Sequence, residues 1–316
     1  MPNKTKIEWT DYTSNPIAPV GGGWGCSKVS PGCDNCYAER LNLRRGNKRE
    51  FTGTWRFLLN YREMDKWRHL PTGSKVFIMD MGDLFHSDIP WWMTNMVFEA
   101  MAKLPAITFQ VLTKRPGRMA YFAETVWPIH QAGSLLLVKE WLSRKGIALE
   151  PLWPPNVWAG TSVESQKYAP RLDCLLRVPA RVRFVSAEPL LGPLDLKPYF
   201  FKCTGCVPTP ENPLCACKGL AIHQVICGAE SGPGARPMDL AWAKSLRDQC
   251  QTSGVPFFMK QLGKRPFWNG IGPPPADHVY LERVPGGWRF DLLRDPKGGD
   301  PQEWPEDLRI REVPKE

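Results

Sequence analysis

The chain has 316 residues, of which 42% are hydrophobic and 23% charged, so it can bury one barrel-sized core or two smaller ones. No apolar run approaches the roughly 20 residues that span a bilayer, and the polar residues 1–6 lack the apolar core of a signal peptide. These features exclude an integral membrane protein and predict a soluble, cytoplasmic one. In such a chain the ten cysteines are expected as metal ligands and buried thiols rather than as disulfides.

A cysteine-rich loop follows a predicted first strand. Cys26, Cys33 and Cys36 lie within eleven residues, the last two as Cys-x-x-Cys. Thiolates are the ligands of soft metals and iron–sulfur clusters, and no further Cys or His follows before His69. Three protein ligands would leave one metal position open for a substrate or cofactor. The residues alone leave two alternatives open, a redox pair and half of a zinc site completed from a distance.

A basic segment comes next. Between Tyr37 and Lys75 there are ten Lys or Arg and four acids, so this segment carries +6 of the net charge of +9. Basic side chains neutralise phosphates and aromatic rings stack on unpaired bases, which predicts a nucleic-acid surface. The alternative is a solvated helical face with core aromatics. The aromatic residues are Trp55, Phe57, Tyr61 and Trp67.

Six short apolar runs alternate with helical patterns in the middle of the chain. Alternating strands and helices predict βαβ units with a parallel sheet, and the count favours a partial or full barrel. The predicted strands are Lys75–Asp80, Ile107–Leu112, Asn156–Gly160, Val182–Ser186, Gln224–Cys227 and Val255–Met259. The predicted helices are Trp91–Leu104, Leu135–Lys145, Gln166–Arg177 and Leu240–Thr252.

Polar side chains follow each of these runs. In a parallel barrel all strands open on the same face at their carboxyl ends, so these side chains are expected around one cavity. They are Asp83, His86, Thr113, Lys114, Arg115, Thr161, Ser162, Glu164, Glu188, Glu230, Ser231, Lys260 and Gln261.

The chain is predicted to form a barrel over residues 1–262, with a cysteine-rich insertion at about 198–222, and a C-terminal extension over residues 263–316 packed on it. The insertion holds four cysteines within fifteen residues, which match a small zinc knuckle; a second iron–sulfur cluster is the alternative. The extension is expected to contain a hairpin of His278–Val284 and Trp288–Leu292 and to bury Trp268, Trp288 and Trp304. The four cysteines are Cys203, Cys206, Cys215 and Cys217.

Several motifs are spread over nearly the whole chain. They are Glu8–Thr10, Asn15–Pro16, Gly25–Arg40, Met81–His86, Leu112–Pro116, Trp158–Glu164, Ser186–Pro193, Gly228–Gly232 and Lys297–Pro301. Together they resemble a radical S-adenosylmethionine (SAM) family found widely in phages and prophages. The spacing of the three cysteines is wider than the usual radical-SAM pattern, and Gly21–Gly23 departs from the commoner form of the family.

The resemblance implies an α/β fold, a radical-SAM-like partial (β/α) TIM-type barrel. It implies that Cys26, Cys33 and Cys36 hold a 4Fe–4S cluster whose fourth iron binds SAM, giving a 5′-deoxyadenosyl radical. By position, Asp83 is expected to contact the SAM amino group. Thr161, Ser162, Glu164 and Glu188 are expected at its ribose or methionyl part. Glu230, Lys260 and Arg115 are the candidate catalytic residues, holding the charged groups of the substrate.

The resemblance also implies a substrate. Relatives in phage genomes are implicated in the hypermodification of viral DNA, which evades host restriction. The expected reaction isomerises an amino-acid substituent of a modified thymidine from a nitrogen link to a carbon link, with flavodoxin or ferredoxin as electron donor. Two alternatives remain: a radical SAM lyase that repairs a DNA photolesion, and a non-enzymatic, zinc-dependent nucleic-acid-binding protein.

Overall fold

The structure is a computed structural model that describes residues 3–132, 153–201, 221–269, 281–284, 287–290 and 293–314. It is mixed α/β with a large, mostly parallel sheet. None of the helices in these ranges is long and apolar enough to cross a membrane. The chain divides into two compact units that alternate in sequence. The first comprises Met1–Lys28, Ala38–Thr161 and Arg171–Val182, and the second comprises Val29–Tyr37, Ser162–Pro170 and Arg183–Glu316.

The first unit is built on strands in the order β1-β2-β5-β6-β7, with a separate antiparallel pair, β3 and β4. Strands β2, β5, β6 and β7 pair in parallel, and β1 is antiparallel to β2. Every residue of β7 is buried, as expected for a parallel strand covered on both faces. The strands are β1 (Asn3–Lys4), β2 (Tyr12–Ser14), β3 (Ile17–Pro19), β4 (Phe57–Leu59), β5 (Lys75–Ile78), β6 (Thr108–Thr113) and β7 (Val157–Ser162).

An aromatic cluster forms the core beneath the segment that follows β5. Phe98 is fully buried and its ring centroid lies 4.6 Å from that of Phe122 and 4.8 Å from that of Trp153. Phe85 packs on the same cluster, 5.7 Å from Phe122, so the segment that carries Asp83 rests on a close-packed base. The helices of this unit are α1 (Tyr37–Arg45), α2 (Tyr61–Asp65), α3 (Trp91–Ala102), α4 (Pro116–Tyr121), α5 (Trp127–Ala132) and α6 (Arg171–Leu175).

The second unit contains three parallel strands in the order β8-β9-β11 and a four-stranded sheet in the order β10-β12-β14-β13. In the described part of this unit the longest helix begins after Asp239, whose side chain accepts a hydrogen bond from Ala241 N, and is capped by Gly254 with φ +67°. The elements are β8 (Arg183–Ala187), β9 (Gln224–Gly228), β10 (Met238–Asp239), β11 (Phe257–Gln261), β12 (Pro266–Trp268), β13 (Leu281–Val284), β14 (Gly287–Phe290), α7 (Lys197–Phe200) and α8 (Leu240–Ser253).

All six predicted strands are present, as β5, β6, β7, β8, β9 and β11. The predicted helix Gln166–Arg177 is split into a 3₁₀ turn at Gln166–Tyr168 and α6, because Pro170 lacks the backbone N–H that a continuous helix needs. The predicted helix Leu135–Lys145 lies outside the described residues. Barrel closure and the boundary after residue 262 stay predictions.

The predicted C-terminal hairpin is confirmed where the structure describes it. Strands β13 and β14 pair antiparallel, with Leu281 opposite Phe290 and Val284 opposite Gly287. Trp304 is fully buried, and its Nε1 donates to Gly298 O at 2.9 Å. The expectation of burial is wrong for Trp268 and Trp288, which are only half-buried.

Candidate functional site

The three cysteines of the loop are half-buried thiols. Cys26 belongs to the first unit, and Cys33 and Cys36 belong to the second. A 3₁₀ turn at Pro31–Cys33 shapes the later part of the loop, where Cys33 N donates to Ser30 O at 2.8 Å. Among the described residues, no group of three or more His, Cys, Asp or Glu side chains is arranged to hold a metal ion.

Asp83 is a buried anion in the segment after β5 of the first unit. Its Oδ1 accepts hydrogen bonds from Thr113 Oγ1 at 2.7 Å and from Phe85 N at 3.0 Å. Its Oδ2 accepts from Arg115 Nη1 at 2.8 Å and from Lys114 N at 3.2 Å. Four donors therefore fix the carboxylate beside Arg115, at the carboxyl ends of β5 and β6.

Arg115 links that carboxylate to the start of the cysteine loop. Its Nη2 donates to Ser27 O at 2.9 Å and to Ser27 Oγ at 2.8 Å, and its Nη1 lies 3.9 Å from Cys26 Sγ. Burial acts to lower the pKa of Arg115, but the charges of Asp83 and Cys26 outweigh it and leave this pKa raised. The guanidinium is therefore a permanent cation beside the Cys26 sulfur.

His86 contacts the same serine from the other side. Its Nδ1 accepts from Asp88 N at 3.1 Å, and its Nε2 lies 2.8 Å from Ser27 Oγ. Burial lowers the pKa of His86, and the charge of Arg115 lowers it further. In the neutral ring the proton therefore lies on Nε2 and is donated to Ser27. Sequence reasoning did not select Ser27, because a serine inside a loop carries no strand-end signal.

In the second unit, Glu164 contacts the loop ahead of Cys33. Ser30 Oγ donates to Glu164 Oε1 at 2.5 Å, and the Glu164 side chain is fully buried. A Cβ added at Gly32 would lie 2.4 Å from Glu164 Oε1, so only glycine fits against this carboxylate. Glu164 thus fixes the turn from which Cys33 projects.

Glu230 and Arg236 form a second contact with the loop in this unit. Glu230 Oε2 accepts from Asn35 Nδ2 and from Arg236 N, both at 2.8 Å. Arg236 Nη2 donates to Glu230 Oε1 and also to Pro31 O at 2.8 Å. Burial acts to raise the pKa of Glu230, but the hydrogen bonds from Arg236 outweigh it and leave this pKa lowered. Sequence reasoning missed Arg236, which follows no predicted strand.

Two further predicted site residues meet in the second unit. Lys260 Nζ lies 3.0 Å from Glu188 Oε1, and the exposed fractions of the two side chains are 22% and 14%. Glu188 follows β8 and Lys260 lies in β11. A Cβ at Gly228 would lie 2.6 Å from Glu188 Oε1, so any larger residue at this position would clash with the carboxylate. The pair is therefore an ion pair that is partly open to solvent.

The structure thus brings the predicted residues together in several smaller sets. Thr161 in the first unit is fully buried, and its hydroxyl donates to Thr113 O at 2.8 Å. Ser162 is buried in the second unit. The predicted roles of all these residues toward SAM and substrate stay predictions. Cys203, Cys206, Cys215 and Cys217 lie outside the described residues.

The basic segment divides into exposed charges and buried rings. Trp55, Phe57 and Trp67 are buried, so the expectation that they stack on bases is wrong; Tyr61 is 57% exposed. Trp55 instead donates from Nε1 to Cys26 O at 2.7 Å, which ties the cysteine loop to the core of the first unit. The exposed cations around the end of α1 are Arg44, Arg45, Lys48 and Arg49.

The sequence matches the model of the family described as "Protein of unknown function (DUF5131)" over residues 4–272. No curated protein matches the chain. Two solved structures of spore photoproduct lyase are similar to it: a cysteine-to-serine mutant, with TM-score 0.41 and 10% identity, and a complex with dinucleoside spore photoproduct, with TM-score 0.40 and 11% identity. In both comparisons the aligned region covers 93% of this chain and 72% of the lyase chain.

Proposed function

The chain belongs to the DUF5131 family of proteins of unknown function. For this member of the family we propose that it is a radical SAM enzyme that acts on DNA. One observation carries the proposal: three half-buried thiols on an eleven-residue loop, in a sequence that resembles radical SAM proteins. Thiolates are the ligands of iron–sulfur clusters, and three of them leave one iron open for SAM.

The residues present fit such a cluster by their chemistry. The donor set is all thiol, and Nη1 of a permanent cation, Arg115, lies 3.9 Å from Cys26 Sγ, where it would offset the negative charge of thiolates bound to a cluster. Cys26, Cys33 and Cys36 would hold the cluster. When bound, the cluster and SAM supply a carbon-centred radical that abstracts a hydrogen atom.

The other residues bind and orient. Arg115 holds the start of the loop, while Glu164 and the Glu230–Arg236 pair hold its later part. Lys260 and Glu188 are partly open to solvent, so they are the pair best suited to bind the amino and carboxylate groups of SAM or of a substrate. Arg115 and Glu230 already use their polar atoms in internal contacts.

The proposed substrate is a modified thymidine in viral DNA, on which an amino-acid substituent is isomerised from a nitrogen link to a carbon link. The exposed cations at the end of α1 support a DNA substrate because they can neutralise phosphates. The amino-acid substituent carries an amine and a carboxylate, which Glu188 and Lys260 match in charge.

Reconstitution tests the radical SAM proposal. Under anaerobic conditions with iron and sulfide, the wild-type protein should bind about four irons per chain and cleave SAM to 5′-deoxyadenosine when reduced. Cys33→Ala should abolish both. Cys174→Ala is the matched control, since this half-buried thiol lies in α6, outside the loop. Full iron content in a variant lacking Cys26, Cys33 and Cys36 would refute the proposal.

Mass spectrometry of nucleosides tests the substrate. DNA carrying the nitrogen-linked thymidine is incubated with enzyme, SAM and reductant, and then digested. A product of unchanged mass and altered retention supports the isomerisation. If the enzyme instead repairs a photolesion in irradiated DNA tested in parallel, it is a repair lyase. A protein that binds DNA but holds only zinc would be a non-enzymatic binder.

A further inference from the structure

We infer that Arg115 is a positioning residue that fixes the Cys26–Ser27 part of the loop and places a positive charge beside the Cys26 sulfur. All the contacts that carry this inference lie within the first unit. The tuning of the cluster rests on the proposed function, whereas the fixing of the loop does not.

The guanidinium of Arg115 is a fixed fork, by which we mean a planar group hydrogen-bonded on two sides, rather than a mobile surface charge. One side of the guanidinium meets Asp83 Oδ2 at 2.8 Å, and the other meets Ser27 O at 2.9 Å and Ser27 Oγ at 2.8 Å. The exposed fractions of the Arg115 and Asp83 side chains are 11% and 6%. A planar group that is hydrogen-bonded at both edges and largely shielded from water cannot rotate without breaking several charge-assisted hydrogen bonds.

The base of the fork is itself fixed. Thr113 Oγ1 donates to Asp83 Oδ1 at 2.7 Å and accepts from Arg115 N at 2.8 Å, so one hydroxyl sets the direction of both charged residues. At the far end, His86 also contacts Ser27 Oγ. The sulfur of Cys26 therefore lies next to a cation whose position is determined by the fold.

This arrangement has an electrostatic consequence. Hydrogen bonds and positive charge near the sulfurs of an iron–sulfur cluster stabilise its reduced, more negative form. Arg115 should therefore make the cluster easier to reduce, in addition to holding the ligand loop. A purely structural residue would affect the loop but leave the potential unchanged.

Two variants separate the two effects. Arg115→Gln removes charge and fork, and Arg115→Lys keeps the charge but loses the fork. Arg118→Gln is the matched control, because it removes a cation three residues further along the chain, within helix α4, where Arg118 donates to Phe85 O and stacks on Trp91. Folding of each variant is checked by its unfolding midpoint in urea.

The first measurement is hydrogen exchange of residues 24–30 in the protein without cluster. Exchange should be faster by about tenfold or more in Arg115→Gln and Arg115→Lys, as expected for loss of about one to two charge-assisted hydrogen bonds, and unchanged in Arg118→Gln. Equal exchange in wild type and Arg115→Gln would overturn the positioning role. Because this measurement needs no iron, it decides that role even if the protein holds no cluster.

The second measurement is a redox titration of the reconstituted protein, followed by electron paramagnetic resonance. At a fixed poise, the ratio of reduced to oxidised cluster should fall by about tenfold in Arg115→Gln, which is about 59 mV for one electron. Arg115→Lys should restore most of the ratio, and Arg118→Gln should leave it near wild type. An unchanged ratio in Arg115→Gln would overturn the electrostatic role. Failure of the wild-type protein itself to bind iron would instead contradict the proposed function.

Discussion

Gly32 shows how a single absent side chain shapes the cysteine loop. A Cβ at this position would lie 2.4 Å from Oε1 and 2.6 Å from Cγ of Glu164, which is fully buried. Gly32→Ala should lower the free energy of unfolding by about 1–3 kcal/mol, the usual cost of overpacking. Urea unfolding measures it.

Gly117→Ala is the matched control for Gly32. Its Cβ would meet only Cys174 Sγ, at 3.9 Å, and alanine favours the helix α4 in which Gly117 lies. It should be neutral or stabilising. If both alanine variants unfold at the same urea concentration as wild type, Glu164 does not restrict position 32.

His223 is a residue whose contribution depends on pH. Burial, followed by the charge of Arg183, lowers the pKa of His223 from 6.5 to about 4. Arg183 N donates to its Nδ1 at 3.1 Å, a bond that needs the neutral ring. Between these two pKa values the unfolded chain binds more protons, so the free energy of unfolding should fall as pH falls through this window.

Urea unfolding at about pH 7 and about pH 5 tests this linkage. His223→Gln should lose less stability than wild type between the two, since it cannot be protonated. His69→Gln, at an exposed histidine, should behave like wild type. An equal loss in His223→Gln and wild type would contradict the prediction.

At the scale of elements, Asn42 joins helix α1 to the turn before Cys26. It is fully buried, its Oδ1 accepts from Trp24 N at 2.8 Å, and its Nδ2 donates to Asn47 Oδ1 at 2.7 Å and to Arg49 O at 2.9 Å. Asn42→Ala removes all three hydrogen bonds and leaves the half-buried Trp24 N without its side-chain acceptor, whereas Asn47 Oδ1 still accepts from Arg49 N at 3.0 Å. The substitution should therefore lower the free energy of unfolding by about 1–3 kcal/mol, the usual cost of leaving a polar group without its partner.

Thermal unfolding and iron content after reconstitution both measure the effect of Asn42→Ala. Iron content should fall with stability, because Trp24 leads directly into Gly25 and Cys26. Leu43→Ala is the control, since Leu43 is 40% exposed in the same helix. A variant at position 42 as stable as the one at position 43 would show that the hydrogen bonds contribute nothing.

The elements themselves were largely predictable from the sequence. Short apolar runs such as residues 157–160 are typical of strands in a covered parallel sheet, and all six predicted strands are found. Side-chain partners were not predictable. The sequence placed Asp83 and Arg115 at strand ends, but their pairing and their contact with Ser27 depend on how distant segments pack. Arg236 and Asn42 do not stand at the end of a predicted strand, so no local sequence pattern identifies them as residues that hold the cysteine loop.

At the scale of the whole molecule, the excess positive charge is uneven. Residues 37–75 hold ten Lys or Arg and four acids, which gives +6 of the total +9. Arg44, Arg45, Lys48 and Arg49 are exposed at and after the end of α1, while three of the four neighbouring aromatic rings are buried. Binding through this surface should therefore be dominated by phosphate contacts rather than by stacking.

Salt dependence distinguishes a DNA-binding surface from a merely solvated one. Each phosphate contact releases condensed counterions, so the affinity should fall steeply with salt. Arg45→Ala with Lys48→Ala should reduce the log–log salt slope by roughly 0.7–0.9 for each contact removed and weaken all DNA sequences alike. Fluorescence anisotropy with labelled duplex and single-stranded DNA over a salt series measures both quantities.

Lys6→Ala with Lys103→Ala is the control for net charge. Both lysines are exposed and lie outside the basic segment, and this pair of changes lowers the net charge by the same two units. If the effect were one of total charge, both double variants would weaken binding equally. A larger loss of affinity and slope in Arg45→Ala with Lys48→Ala would locate the phosphate contacts at the end of α1. If both double variants bind DNA as wild type does, the proposal that DNA is the substrate is contradicted, and a free nucleotide becomes the better candidate.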